Sequence, residues 1–207
     1  VQDIDAAKSC ATYKRGQIIF NEGSNPVGLY CVNEGKIKLY RYASDGKEQM
    51  VRIAKPGDFL GYSTLLAEKK YPVTASALED CVICLIPKQA LMNVFKQNER
   101  FSDNMIKMLS TNLDDSFGKM ADLAYKPVRG RMAEAILFLN RFYKDEKNKD
   151  GVVSMTREDL ASFVGTVKET AIRILKEFKD ENLIETDKSD IKVKDVDGLL
   201  RVSHLYD

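Results

Sequence analysis

The 207-residue chain has a single histidine, His204, close to its end. That scarcity closes off most imidazole chemistry. Cupin-type metal oxygenases and histidine-ligated haem sensors need several such rings, and a Ser-His-Asp or Cys-His mechanism would have to be built on this one residue. No oriented nucleophile is recognisable beside it, and no glycine-rich phosphate loop is present. His204 therefore reads as a surface histidine and the chain as a non-enzyme. No apolar run approaches the ~18 residues of a membrane span. Charge of one sign is missing as well: 32 Lys+Arg stand against 31 Asp+Glu, a net +1. A strongly basic tail-type nucleic-acid binder is thereby excluded, although local patches are not. Cysteines number four and are scattered, at Cys10, Cys31, Cys81 and Cys84. In a chain of cytosolic character they read as reduced thiols, and the expected location is cytoplasmic.

What is present changes character along the chain. Up to Pro87 the texture is that of short strands: Gln17–Phe20, Gly28–Val32, Lys36–Tyr40, Met50–Ile53 and Val82–Ile86, rich in β-branched and aromatic residues. Turn signals lie between them, among them Gly23, Asn33-Glu34-Gly35, Asp45-Gly46 and Pro56-Gly57. Such close spacing predicts an antiparallel sandwich or barrel, with Asp45-Gly46 as its clearest hairpin.

From Lys88 to Tyr125 the period turns helical. Met105, Leu109, Leu113, Phe117, Met120 and Ala124 fall on one stripe of a long helix. That stripe serves either to pack on the chain's own β domain or to form a coiled-coil-like seam with a second copy. The C-terminal segment favours the second use. Lys126-Pro127 breaks the helix, since proline disfavours helical geometry in the residue before it. Another amphipathic helix follows over Val128–Tyr143, and then a charged loop to Gly151.

The stretch from Met155 to Ile184 is the most informative. Thr156 N-caps a short helix whose apolar face is Leu160, Ala161 and Val164. Gly165 supplies a turn, and Thr166-Val167-Lys168-Glu169 reads as a capping box opening a second helix. This is a helix-turn-helix pattern. At ~100° per residue the second helix divides cleanly. Ala171, Ile174, Leu175 and Phe178 share one face, while Lys168, Glu169, Ile172, Arg173 and Lys176 share the opposite one. Arg and Glu are residue types that read guanine and cytosine edges. Beyond Ile184, a turn near Lys188-Ser189-Asp190 followed by Ile191-Lys192-Val193 predicts a β-hairpin wing. Its Lys188, Lys192 and Lys194 are candidates for phosphate contacts, which position without specifying sequence.

The run from Met155 to Ile184 closely resembles the winged helix of the cyclic-AMP receptor protein and FNR (CRP/FNR) family of bacterial transcription regulators. Pro56-Gly57-Asp58-Phe59-Leu60-Gly61 and Lys126-Pro127-Val128-Arg129-Gly130-Arg131 extend the resemblance over nearly the whole chain. It implies an α+β protein with a cyclic-nucleotide-binding-like β-roll over 1–98, a dimerisation helix over 99–125 and a winged helix-turn-helix over 126–207. It further implies a homodimer, joined through Met105, Leu109, Leu113, Phe117 and Met120, that acts on palindromic double-stranded DNA with RNA polymerase as a partner. The expected DNA-contacting set is Thr156, Thr166, Lys168, Glu169, Ile172, Arg173, Lys176, Lys188 and Lys192. Within it Glu169 and Arg173 match the family's base-reading pair, and Lys168 stands where the cyclic-AMP receptor has Arg.

The effector pocket implied by the family maps onto Gly61, Tyr62, Tyr71, Thr74, Ser116 and Phe117. Two positions depart from the nucleotide-binding pattern. Tyr62 stands where the family's ribose-binding Glu follows Gly, and Tyr71 stands at the phosphate-pairing Arg. A cyclic phosphate buried without that Arg would leave a charge unpaired, at a cost of several kcal/mol. Cyclic AMP is therefore not the expected effector. The family's iron–sulfur option needs four thiolates. Only Cys10 lies near the start, and Cys81 and Cys84, three apart in a strand, point to opposite faces. Both read as buried structural cysteines, and no cofactor is expected. The competing reading is a small-molecule-binding or protein-interaction module whose winged helix is a packing platform that does not read DNA.

Overall fold

The computed structural model describes residues 7–44, 46–145 and 148–204. By its contacts the chain divides into two compact units, Val1–Ser116 and Phe117–Asp207. The boundary falls inside the long helix, which the sequence alone had set apart as a segment of its own.

The first unit runs β1 (Ser9–Tyr13), β2 (Ile18–Phe20), β3 (Gly28–Glu34), β4 (Ile37–Tyr42), β5 (Glu48–Ala54), β6 (Phe59–Leu60), a one-turn helix α1 (Tyr62–Leu66), β7 (Thr74–Ala77), β8 (Cys81–Pro87), α2 (Lys88–Gln97) and the start of α3 (Glu99–Tyr125). The strands form two antiparallel four-stranded sheets, ordered β1-β8-β3-β6 and β2-β7-β4-β5. Both contribute to one core, with Val32, Leu60 and Ile83 from the first and Phe20, Ile37 and Ala75 from the second all buried. The β4–β5 hairpin forms as the sequence predicts, with Tyr42 opposite Glu48. Gly46 takes φ 78° in its turn, and Asp45 lies outside the described residues. β1, β6 and β7 escape the sequence reading. β7 is Thr-Ala-Ser-Ala, fully buried yet made of residues too small or polar to stand out as a strand.

The cysteines correct an expectation. Cys84 on β8 lies opposite Cys10 on β1 and, on its other side, opposite Cys31 on β3. The Cys10–Cys84 pair is a disulfide, with a Cα–Cα distance of 4.0 Å across 74 residues of sequence. In-register pairing of two distant strands brings the thiols together, and composition gives no sign of it. Cys31 and Cys81 remain thiols, both pushed up in pKa chiefly by burial.

The predicted helical stretch after Lys88 is two helices. Asn98 leaves helical geometry at φ −135° and ψ 93°, and its side-chain oxygen accepts from the Phe101 N–H at 3.0 Å, opening the 27-residue α3. Met105 is buried beside Leu29, Leu65, Ile86 and Leu91. This corrects its place in the stripe, because Met105 packs on its own β unit. Ile106 is exposed instead, together with Leu113, Phe117 and Met120, and Leu109 is partly buried. Steps of four residues drift ~40° around a helix, so a stripe begun at Met105 starts one residue early.

The second unit contains the rest of α3, then α4 (Val128–Tyr143), β9 (Val153–Ser154), α5 (Arg157–Val164), α6 (Lys168–Asp180), β10 (Ile184–Asp187), β11 (Asp190–Val193) and α7 (Val196–His204). Strands β10, β11 and β9 form one antiparallel sheet in that order. The core takes Met132, Ile136 and Leu139 from α4, Leu160 and Val164 from α5, Ile174, Leu175 and Phe178 from α6, and Leu199 from α7. The apolar faces read from the sequence for α5 and α6 are thus the buried ones. α7 is an addition to that reading. Its first turn is held by the Asp195 carboxylate, which accepts from the Gly198 N–H at 2.8 Å.

Candidate functional site

The α5–turn–α6 unit is built from local signals. Thr156 caps α5, its Oγ1 accepting from the Asp159 N–H at 3.0 Å and donating to the Asp159 carboxylate at 2.7 Å. The hydroxyl expected to contact DNA is thus engaged inside the cap. Gly165 ends α5 in the left-handed region, at φ 75° and ψ 51°, where a Cβ would be strained. The capping box expected at Thr166–Glu169 does not form. Val167 is the N-cap of α6, with no side-chain capping bond. Glu169 therefore keeps its carboxylate, which makes no hydrogen bond or ion pair among the described residues.

One face of α6 is consequently built for display. Lys168, Glu169, Ile172, Arg173 and Lys176 are exposed, and Ile172 with neighbouring Val167 adds apolar surface of the kind that meets a thymine methyl. Two of the cations are held rather than loose. Lys168 pairs with Glu158 of α5, and that hydrogen bond holds the Glu158 carboxyl below its usual pKa. Arg173 donates to Glu177 one turn on, at 2.6 Å.

Two arginines that the sequence reading did not assign hold the motif in place. Arg131 donates from Nε to the Val164 carbonyl and from Nη2 to the Gly165 carbonyl, both at 3.1 Å, clamping the turn from α4. Arg129 meets Glu177 at 2.7 Å and both oxygens of Glu181 at 2.7 Å, and it lies over the Phe178 ring. Both belong to the Pro127-Val128-Arg129-Gly130-Arg131 run, a signal visible in the sequence without its purpose.

The wing forms where predicted, Asp187 pairing with Asp190 across the tip. Lys188 sits there at φ 49°, and Arg157 of α5 donates to its carbonyl at 2.7 Å and to that of Ser189 at 3.3 Å. The Lys188 side chain is exposed and makes no ion pair among the described residues. Lys192 is engaged within the chain. It is paired with Asp150 at 2.7 Å, which raises the pKa of its ammonium, and Lys194 lies 3.7 Å from Glu185. Lys188→Ala should therefore lower binding to every DNA sequence alike and reduce the slope of log K against log salt by about 1 per subunit. A filter-binding salt series checks this; a loss confined to one sequence would remove Lys188 from the phosphate-contacting set.

The implied effector pocket is only partly assembled. Gly61, Tyr62 and Tyr71 line a cavity of 80 Å³ with Phe20, Arg52 and Phe59 among its other walls. Gly61 needs its left-handed φ of 79° and its missing side chain, since a Cβ there would meet the Tyr71 ring at 3.0 Å. Tyr71 stacks on Phe20, with ring centroids 4.0 Å apart. Thr74 instead accepts from the Glu22 N–H at 3.0 Å, and Ser116 donates to Asn112 one turn back in α3 at 2.7 Å. Phe117 falls in the second unit. Arg52, which the sequence reading passed over, donates to the Tyr62 hydroxyl at 3.1 Å.

A two-sheet effector-type unit joined to a winged helix-turn-helix is the build of a bacterial transcription regulator, and the family comparisons agree. Residues 11–98 match the cyclic nucleotide-binding domain and residues 130–202 the Crp-like helix-turn-helix domain. The anaerobic regulatory protein of Bacillus subtilis is 30% identical over 175 residues, covering 83% of this chain and 73% of its own length. A CRP-like cAMP-activated global transcriptional regulator of Mycobacterium tuberculosis is 27% identical over 191 residues, 91% of this chain and 85% of that one. The structure of FixK2 from Bradyrhizobium japonicum superposes with a TM-score of 0.84 at 20% identity, covering 94% of this chain and 96% of that one. The chain belongs to the CRP/FNR family of transcription regulators. No helix among the described residues is long and apolar enough to cross a membrane.

Proposed function

We propose that the protein is a sequence-specific DNA-binding regulator that acts in the cytoplasm as a homodimer on a two-fold palindromic site, with RNA polymerase as its protein partner and without cyclic AMP as its effector. The observation that carries this reading is the exposed face of α6. Among the described residues its Glu169 carboxylate makes no hydrogen bond or ion pair, and its Arg173 is held only by the half-buried Glu177 one turn along. The opposite face is fully buried in the helix-turn-helix core, so α6 is rigidly mounted with its polar side outward. Dimerisation is supported by the exposed apolar stripe of Ile106, Leu113, Phe117 and Met120 on α3, a seam suited to the same helix of a second copy. Two such subunits would present their recognition helices to major grooves about 34 Å apart.

The statement on cyclic AMP is supported by the cavity at Gly61, which at 80 Å³, with the Tyr71 ring in its wall, is too small to enclose a nucleotide. The test is selection of bound duplexes from a random pool, followed by titration of the protein with cyclic AMP. Inverted half-sites one helical turn apart and a flat calorimetric titration are the expected results. Enrichment of no sequence would remove the DNA-reading function, and saturation at micromolar cyclic AMP would remove the effector statement.

A further inference from the structure

The cavity at Gly61 contains two polar groups whose hydrogen-bonding capacity the fold leaves unused. Arg52 reaches it from β5. Among the described residues its guanidinium has one partner, the Tyr62 hydroxyl at 3.1 Å, and no carboxylate within ion-pair distance. A guanidinium carries five N–H donors in a planar fork. Tyr71 is 3% exposed, and its hydroxyl is the one buried side-chain oxygen or nitrogen among the described residues with no hydrogen-bond partner. Burial raises its pKa to about 12, so at neutral pH it is a proton donor with nothing to donate to. Both groups line the same 80 Å³ cavity, whose other walls include Phe20, Leu39 and Phe59.

We infer that this cavity is a binding site for a small monocarboxylic acid, held by the guanidinium of Arg52 and the hydroxyl of Tyr71. Size and charge both select that class. At 80 Å³ the space is well below the ~300 Å³ at which pockets begin to enclose drug-sized ligands, which excludes a nucleotide and admits an acid of a few heavy atoms. One cation among apolar walls balances one negative charge, and a phosphate dianion would leave a second unpaired. A planar carboxylate meets the guanidinium fork with two parallel hydrogen bonds and has lone pairs left to accept from Tyr71. Lys69 and Lys70 are exposed and outside the cavity lining.

The site also has a route to the long helix. The Tyr62 hydroxyl that accepts from Arg52 also accepts from the Asn112 side chain on α3. A carboxylate that draws Arg52 toward itself loosens the β5 half of that junction and leaves Tyr62 tied to α3 alone. This regulatory half rests on the regulator reading, whereas the binding half does not.

The experiment uses the full chain and two probes, acetate and pyruvate, followed by NMR chemical-shift titration in a carboxylate-free buffer, with acetamide as the uncharged match and inorganic phosphate as the dianion arm. Saturable shifts at Gly61, Tyr62 and Tyr71 in the millimolar range are expected for at least one carboxylate. Arg52→Gln and Tyr71→Phe should each weaken binding about tenfold or more, as expected for loss of a hydrogen bond to a charged group. Tyr71→Phe keeps the ring stacked on Phe20, so the fold is retained. No saturation by either acid, equal shifts with acetamide, tighter binding of phosphate, or unchanged affinity in both variants would overturn the site. DNA binding is measured on the same samples without probe. Its failure would overturn the regulator reading and leave carboxylate binding standing, and the reverse outcome would overturn only the site.

Discussion

Arg173→Ala is expected to lower affinity for the selected palindrome by about 2–6 kcal/mol and to relax base preference at one position in each half-site. A bidentate arginine–guanine contact discriminates by about 1–3 kcal/mol, and a two-fold complex contains it twice. The structure makes the arginine inexpensive to release. Arg173 itself is exposed and its partner Glu177 is half-buried one turn on, and such surface i,i+4 pairs contribute about 0.3–0.5 kcal/mol. Glu177 is also not stranded when Arg173 turns to a base, because Arg129 donates to its other oxygen at 2.7 Å. Gel-shift titrations of wild type and variant against the palindrome and a scrambled duplex, at one fixed salt concentration, measure the effect. Equal loss on both duplexes would show that Arg173 contacts phosphate and carries no sequence information.

Phe117→Asp is expected to raise the dimer dissociation constant by at least about 100-fold, or ~2.7 kcal/mol. Phe117 is 59% exposed in the single chain, and full burial of such a side chain contributes about 1.5–3 kcal/mol. The seam would contain two copies, and each aspartate would add an unpaired charge to an apolar contact. Analytical ultracentrifugation reads the dissociation, and palindrome affinity should fall with it because half-sites then bind singly. Circular dichroism should be unchanged, since the side chain packs little within its own subunit. Met105→Asp is the contrasting variant. Met105 is 3% exposed in the β unit, so that substitution should unfold the unit rather than merely separate subunits. A Phe117→Asp protein that stays dimeric would move the interface off this stripe.

The contrast between these two residues shows where sequence reasoning reached its limit on α3. Periodicity located a long amphipathic helix, and a helix has more than one apolar edge. Which edge meets the β unit depends on the shape of the surface beneath, so Met105 and Ile106, adjacent in sequence, have opposite fates. Helix α6 was more legible. Its apolar residues cluster within about 100° of arc, and Ala171, Ile174, Leu175 and Phe178 are the four buried in the structure. Its cap was less so: Thr166–Glu169 has the composition of a capping box, yet the helix begins one residue later, at Lys168 behind Val167.

The sequence by itself determined the strand-rich first half, the helix-turn-helix with its two-faced second helix, and the wing. These are local features, set by spacing within a turn or strand and by residue type. Tertiary structure alone decided that Cys10 meets Cys84, that Arg131 clamps the turn at Val164 and Gly165, that Asp150 occupies Lys192, and that Arg52 shares a cavity with Tyr71. Each joins residues 19 or more positions apart. Such contacts follow from strand register and helix packing, and no periodicity along the chain encodes them.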